Sequence, residues 1–211
     1  NSLGWQNYSL AEELGRLLPF PVEISNEANC AALGERWKGT GARADDLCYI
    51  AIGQGVGSAI ICDGELIYGA ACRAGEIGYL LGEIDQEMSN RNVLGEPGVL
   101  ERKIWSTLSS CGLNLEQMFQ AYVQGKEPAR GAVTYFIRDL ARVIANIASM
   151  LNPEVVVIGG IVAQYMKPVL PDIRAVVGVL TPIPTRVELG SLGPWAAAMG
   201  AAFQGSVHSK L

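Results

Sequence analysis

Between residues 47 and 68 the chain spells three short strands in succession, and no other stretch limits its architecture as tightly. Leu47-Cys48-Tyr49-Ile50-Ala51-Ile52 and Ser58-Ala59-Ile60-Ile61-Cys62 are apolar, β-rich runs joined by Gly53-Gln54-Gly55-Val56-Gly57. Asp63-Gly64-Glu65 is a tight hairpin signal, and Leu66-Ile67-Tyr68 follows as the third strand. Strands separated by turns this short form an antiparallel meander, with the glycines gathered at one edge. Glu154-Val155-Val156-Val157-Ile158 is different: it is continuously apolar and ends in Gly159-Gly160, the pattern of a buried strand. A last strand is expected at Arg186-Val187-Glu188-Leu189.

Helical patterns fill most of the remainder. Residues 8–18 have apolar positions at helical spacing, with Ser9 as N-cap and Glu12 at the third helical position. Pro19 and Pro21 then lead into a short strand expected at 22–25, and residues 29–37 read as a helix followed by a charged, glycine-containing loop to 46. Residues 85–97 are polar and turn-rich, the composition of a surface excursion. Helices are expected at 99–109, 114–122 and about 128–151, where Asn152-Pro153 stops the last of them. A further helix precedes the final strand, and 195–203, rich in Ala and Gly, reads as a tightly packed terminal helix. Strand, glycine turn and helix thus recur around a helical insertion, which makes the chain α/β with a mixed sheet.

Composition narrows the function classes. The 211 residues are enough for one large domain or two small ones, and 49% are hydrophobic while 18% are charged, below the roughly 25% of ordinary soluble domains. An extensive core or a buried interface accounts for that, and a homodimer or higher homo-oligomer is expected. A net charge of -5 argues against nucleic-acid binding by these residues, because the phosphate backbone requires clustered Lys and Arg. Five cysteines form no Cys-x-x-Cys pair and fit reduced cytoplasmic thiols better than a disulfide framework. No apolar run reaches the roughly 18 residues of a membrane span. Asn1-Ser2-Leu3-Gly4-Trp5 lacks an initiator Met and enters in mid-structure, so upstream sequence is expected.

Four short stretches have residue types suited to ligand chemistry. Asn26-Glu27-Ala28-Asn29 sets a carboxylate between carboxamides at a strand-to-helix junction. Glu27 there can take a proton or a hydrogen bond from a hydroxyl, or simply cap the helix. Gly53-x-Gly55-x-Gly57 lets a ligand approach main-chain N–H groups, although it lacks the Gly-x-Gly-x-x-Gly spacing of a dinucleotide loop and also serves as a tight turn. Gly159-Gly160 lies where open α/β sheets bind ligands, or is a turn and nothing more. Ala74-Gly75-Glu76-Ile77-Gly78-Tyr79 brackets an acid and a phenol with glycines, which suits a polyhydroxylated ligand as well as it suits a solvated loop.

Their order along the chain, together with Ala31-Ala32-Leu33-Gly34-Glu35, Gly98-x-Leu100-Glu101 and the opening Asn1-Ser2-Leu3-Gly4-Trp5, resembles the ROK family of sugar kinases and sugar-responsive transcriptional repressors. The resemblance spans nearly all 211 residues, and the pattern, Asn26-Glu27-Ala28-Asn29 included, is similar to xylose-repressor-like members. It implies an actin-like ATPase (ribonuclease H-like) fold, of which residues 1–211 are the second lobe plus the end of the first; a winged helix-turn-helix and most of the first lobe would lie upstream. By motif position it implies that Asn26, Glu27, Glu76 and Glu101 bind sugar, with Glu27 in the place of the kinase's catalytic Asp and Tyr79 in that of a sugar- and zinc-associated His. Glu27 is one methylene longer than Asp, so the resemblance implies sugar recognition without proton abstraction. Gly53, Gln54, Gly55, Gly57, Gly159 and Gly160 correspond to nucleotide-contacting positions, with Gln54 in place of the usual Thr.

The family's three zinc-binding cysteines align with Asn92, Leu94 and Val99, which implies that no metal is held. ATP enters only if the chain is a kinase. The expected function is the sugar-binding region of a repressor of carbohydrate utilisation, acting on operator DNA through the upstream domain; the alternative is an ATP-dependent sugar kinase.

Overall fold

Side chains along the first strand alternate between two cores, and that alternation organises the molecule. The computed structural model of the chain describes residues 8–81 and 92–208. Strands β1 (Leu47–Ile52), β2 (Val56–Cys62), β3 (Glu65–Leu66), β4 (Val155–Gly159) and β5 (Arg186–Leu189) form one sheet in the order β3-β2-β1-β4-β5. β1, β2 and β3 pair antiparallel as the meander, whereas β4 lies parallel to β1 and β5 parallel to β4. The sheet is therefore mixed, as its two strand patterns require.

Cys48, Ile50 and Ile52 point to the larger core, where they meet Val156 and Ile158 and the helices α3 (Val99–Ser109), α4 (Leu115–Val123), α5 (Ala129–Leu151) and α6 (Leu170–Leu180). Leu47 and Tyr49 point the other way, with Val155 and Val157, onto Ala31 and Ala32 of α2 (Glu27–Lys38) and Ala196 of α7 (Ala196–His208). α5 fits its sequence pattern: its buried stripe includes Val133, Phe136, Ile137, Leu140, Ile144 and Ile147, and Asn152 ends it in the left-handed conformation at φ 46°. α4 begins with a capping box between Asn114 and Gln117.

α2 and α7 pack backbone to backbone. A β-carbon on Gly34 would run into the carbonyl oxygen of Ala196, and one on Gly200 into that of Cys30. The small residues of the terminal helix are thus needed to bring α7 against α2, whose first residues open the candidate site.

Several expectations are corrected. Residues 22–25 form no strand: the sheet ends at β3 and β5, so this segment, held between Pro21 and the helix, has no ladder to join among the described residues. The helix after it starts at Glu27, two residues before the expected position, because Asn26 caps it. Ser9 stands at the N-cap of α1 (Leu10–Leu17), yet its side chain makes no capping bond. Val56 and Gly57 belong to β2, leaving only Gly53-Gln54-Gly55 as the turn. α7 extends past 203 to His208. Asn1-Ser2-Leu3-Gly4-Trp5 and most of the 85–97 excursion lie outside the described residues. All five cysteines are free thiols, and no helix among the described residues is long and apolar enough to cross a membrane.

Candidate functional site

β1 and β4 run parallel with Ala51 beside Gly159, so the glycine turns that follow them emerge side by side at the carboxyl ends of the two strands. That is where an open α/β sheet presents a ligand crevice. A cleft of about 750 Å³ lies there, and Asn26, Glu27, Gly53, Gln54, Gly55, Gly57, Glu76, Glu101 and Gly160 all line it. Residues separated by as many as 134 positions therefore share one site.

Each acidic side chain is held by a local device. At the start of α2, the Asn26 carboxamide oxygen accepts from the N–H groups of Ala28 at 2.8 Å and Asn29 at 3.4 Å. Glu27 follows as the first helical residue, where the N-terminal end of the helix dipole favours a carboxylate. Glu76 is placed through the residue before it. The Gly75 carbonyl accepts from the Ser58 N–H at 2.8 Å and from the Ser58 hydroxyl at 3.0 Å, which fastens that loop to β2. Glu101 sits in the first turn of α3, with both carboxylate oxygens 3.7 Å from where a β-carbon on Gly55 would stand.

None of the carboxylates of Glu27, Glu76 and Glu101 has a hydrogen-bond or ion-pair partner among the described residues. Among the described residues, the lining contains no Lys, Arg or His. Three acceptors without a cation suit a ligand that donates hydrogen bonds and bears no negative charge, as a polyol does.

Two residues expected at the site are elsewhere. Tyr79 does not line the cleft: its phenol oxygen accepts from the Gly95 N–H at 3.0 Å, so it is engaged by the loop before α3. Gly159 lines an adjoining cavity of about 210 Å³ and makes room for a neighbour, since a β-carbon there would overlap the phenol of Tyr49.

Tyr49 itself was not foreseen. It is buried at the floor between the two cavities, and burial first, then the negative charge of Glu35, pushes its phenol up to about 12. It stays protonated at neutral pH and presents a neutral hydroxyl. Its signal was the strand pattern, which puts Leu47, Tyr49 and Ala51 on one face of β1 and brings the phenol toward the ligand end. Gln164 and Ile161, which line the cleft after the glycine pair, had no comparable signal.

At the positions where the resemblance would have a zinc set, the residues do not fit the ion. Leu94 and Val99 offer no ligand atoms, and Tyr79 and both polar atoms of Asn92 are already hydrogen-bonded to the backbone.

The sequence profile of the ROK family matches residues 1–203. A xylose repressor from Caldicellulosiruptor bescii is 31% identical over 196 residues, which is 83% of this chain and 49% of that protein. A glucokinase from Halalkalibacterium halodurans is 31% identical over 193 residues, 82% of this chain and 58% of that protein. The chain spans about half the length of these curated relatives. Among solved structures, the ROK family glucokinase of Streptomyces griseus, in complex with glucose and AMPPNP, superposes with a TM-score of 0.78 at 23% identity, covering 95% of this chain and 73% of that one. It shares the fold.

Proposed function

The chain belongs to the ROK family, and from that membership and the cleft's chemistry we propose that it is the sugar-effector-binding region of a transcriptional repressor of carbohydrate utilisation. The observation that carries the reading is the convergence of Asn26, Glu27, Glu76 and Glu101 on one cleft, with three carboxylates unpartnered among the described residues. Sugar hydroxyls donate to such carboxylates, and a hydrogen bond to a charged group contributes about 1.5–3 kcal/mol. The resemblance puts Glu27 where a kinase has its catalytic Asp. The extra methylene moves the carboxylate relative to the hydroxyl that a base must reach at roughly 2.6–3.2 Å, so Glu27 recognises the sugar and does not deprotonate it.

In this reading the sugar acts by binding one state of the intact protein more tightly than another, and operator affinity changes through that difference. On the same reading, the operator contact would be made by a part of the intact protein outside these residues. The test is a titration of intact protein and operator DNA with a panel of neutral sugars. Operator affinity that changes with a sugar supports the repressor, and affinity indifferent to every sugar that binds removes the coupling.

A specific observation also favours a second reading, an ATP-dependent sugar kinase. Gly53, Gln54, Gly55, Gly57 and Gly160 line the same cleft as the carboxylates, a glycine frame able to pass close to a nucleotide. Turnover of ATP with a hexose by the intact protein, abolished in Glu27→Gln, would decide for the kinase.

A further inference from the structure

We propose that Asn92 and Tyr79 form a metal-free clasp that sets the spacing of Glu76 and Glu101, making both positioning residues for the ligand cleft; this rests on the sugar-binding reading above. The Asn92 side-chain nitrogen donates to the Tyr79 carbonyl at 2.7 Å, and its side-chain oxygen accepts from the Val99 N–H at 2.9 Å. The Tyr79 phenol closes the loop by accepting from the Gly95 N–H at 3.0 Å. One carboxamide therefore joins the end of the Glu76 loop to the first residue of α3. A primary amide is suited to this because it offers a donor and an acceptor from one planar group.

Along the chain, the clasp ties the segment just after Glu76 to Val99, at the start of the turn that contains Glu101. Glu76 is three residues before Tyr79, at the N-cap of the short 3-10 turn Ile77–Tyr79, and Glu101 is two residues after Val99 in the first turn of α3. The backbones are drawn together here as well: a side chain on Gly98 would collide with the Gly78 carbonyl. Glu101 in turn lies beside Gly78, whose β-carbon would stand 3.2 Å from one carboxylate oxygen. A shift of α3 away from the Glu76 loop would widen the gap between the two acceptors, and a ligand bridging them would lose one of its contacts.

The residues that the resemblance puts in a metal set are the ones that make these bonds. Tyr79, Asn92 and Val99 are joined through main-chain groups at each step, and Leu94 contributes no polar side-chain atom. Hydrogen bonds thus do the holding that a metal ion would otherwise do.

The test uses the intact protein titrated calorimetrically with D-glucose and D-xylose, beside thermal unfolding of each variant. Asn92→Asp keeps the acceptor for the Val99 N–H but cannot donate to the Tyr79 carbonyl; Asn92→Ala loses both bonds. Both variants should bind the sugar about tenfold more weakly or worse, the size of one lost hydrogen bond to a charged group. Asn92→Asp should unfold at the wild-type temperature, since its helix-capping half is intact. Tyr79→Phe should show a smaller loss, and prior treatment of wild type with EDTA should leave affinity unchanged.

Wild-type affinity in Asn92→Asp would reduce Asn92 to a helix cap and overturn the clasp, and loss of binding on EDTA treatment would overturn it in favour of a metal. A wild type that binds neither sugar would overturn the clasp together with the sugar reading on which it rests.

Discussion

The two ends of α2 each have a glutamate, and the two have opposite environments. Glu35 near the carboxyl end is 1% exposed and accepts from the N–H groups of Thr40 at 2.8 Å, Ser191 at 3.2 Å and Leu192 at 2.8 Å. The Ser191 hydroxyl is a fourth, longer donor at 3.5 Å. Glu27 at the amino end is exposed, lines the cleft and has no such partner among the described residues. The residue type is the same, so availability for ligand is decided by how many donors the fold has already supplied. Glu35 is saturated and fastens the end of α2 to the loop after β5, the loop whose Gly193 and Pro194 line the cleft. Glu27 is unsaturated and is left for whatever enters.

The contrast is testable at several strengths. Glu35→Ala leaves three part-buried backbone donors without their acceptor and should destabilise the protein by about 2–4 kcal/mol in urea unfolding. A loss under about 1 kcal/mol would erase the distinction between the two ends. Gly200→Ala forces a methyl into the Cys30 carbonyl, and differential scanning calorimetry should register a loss of about 2–3 kcal/mol as the α2–α7 pair separates.

The alkaline limb probes the buried charge of Glu35 through its neighbour. Tyr49 is raised to about 12, above the usual phenol value of about 10, so the folded state holds that proton longer than the unfolded chain. The stability this represents is complete below pH 10 and is lost as pH rises through 12. Between those values the loss should reach about 2 kcal/mol, and Tyr49→Phe should show a shallower slope. The buried Cys48 thiol, also raised to about 12, contributes over a range that begins nearer pH 9, so the comparison is best made in a shared Cys48→Ala background. Glu27→Gln should change stability least, by under about 0.5 kcal/mol, because it breaks no contact within the described residues.

Much of this was legible in the sequence, for definable reasons. Strand type was readable because β4 is apolar throughout and the meander strands are bounded by glycine turns. The long helix was readable from its apolar stripe and the Asn152-Pro153 stop. The site was readable as an ordered series of motifs, and Asn26, Glu27, Glu76 and Glu101 do meet in one cleft.

What failed depended on which partner each group meets in the folded chain. The 22–25 segment has strand-like residues, but only the sheet's actual edges decide whether a ladder forms. The carboxylate that caps a helix and the one that greets a ligand look alike in sequence; here Asn26 makes the cap, which releases Glu27. Tyr79 was assigned to the ligand by position, yet its phenol is directed to a backbone N–H, a partner that no spacing reveals. The role of Glu35 was also hidden, since three of its four donors lie on residues 191 and 192.

The most direct measurement is a calorimetric titration of the intact protein and its Glu27→Gln variant with a panel of neutral pentoses and hexoses. The expected result is a sugar that binds the wild type and binds Glu27→Gln about 10- to 100-fold more weakly, the scale of one lost hydrogen bond to a charge, with the unfolding temperature unchanged. Equal affinity in the two proteins would contradict the assignment of the open end of α2 to the ligand.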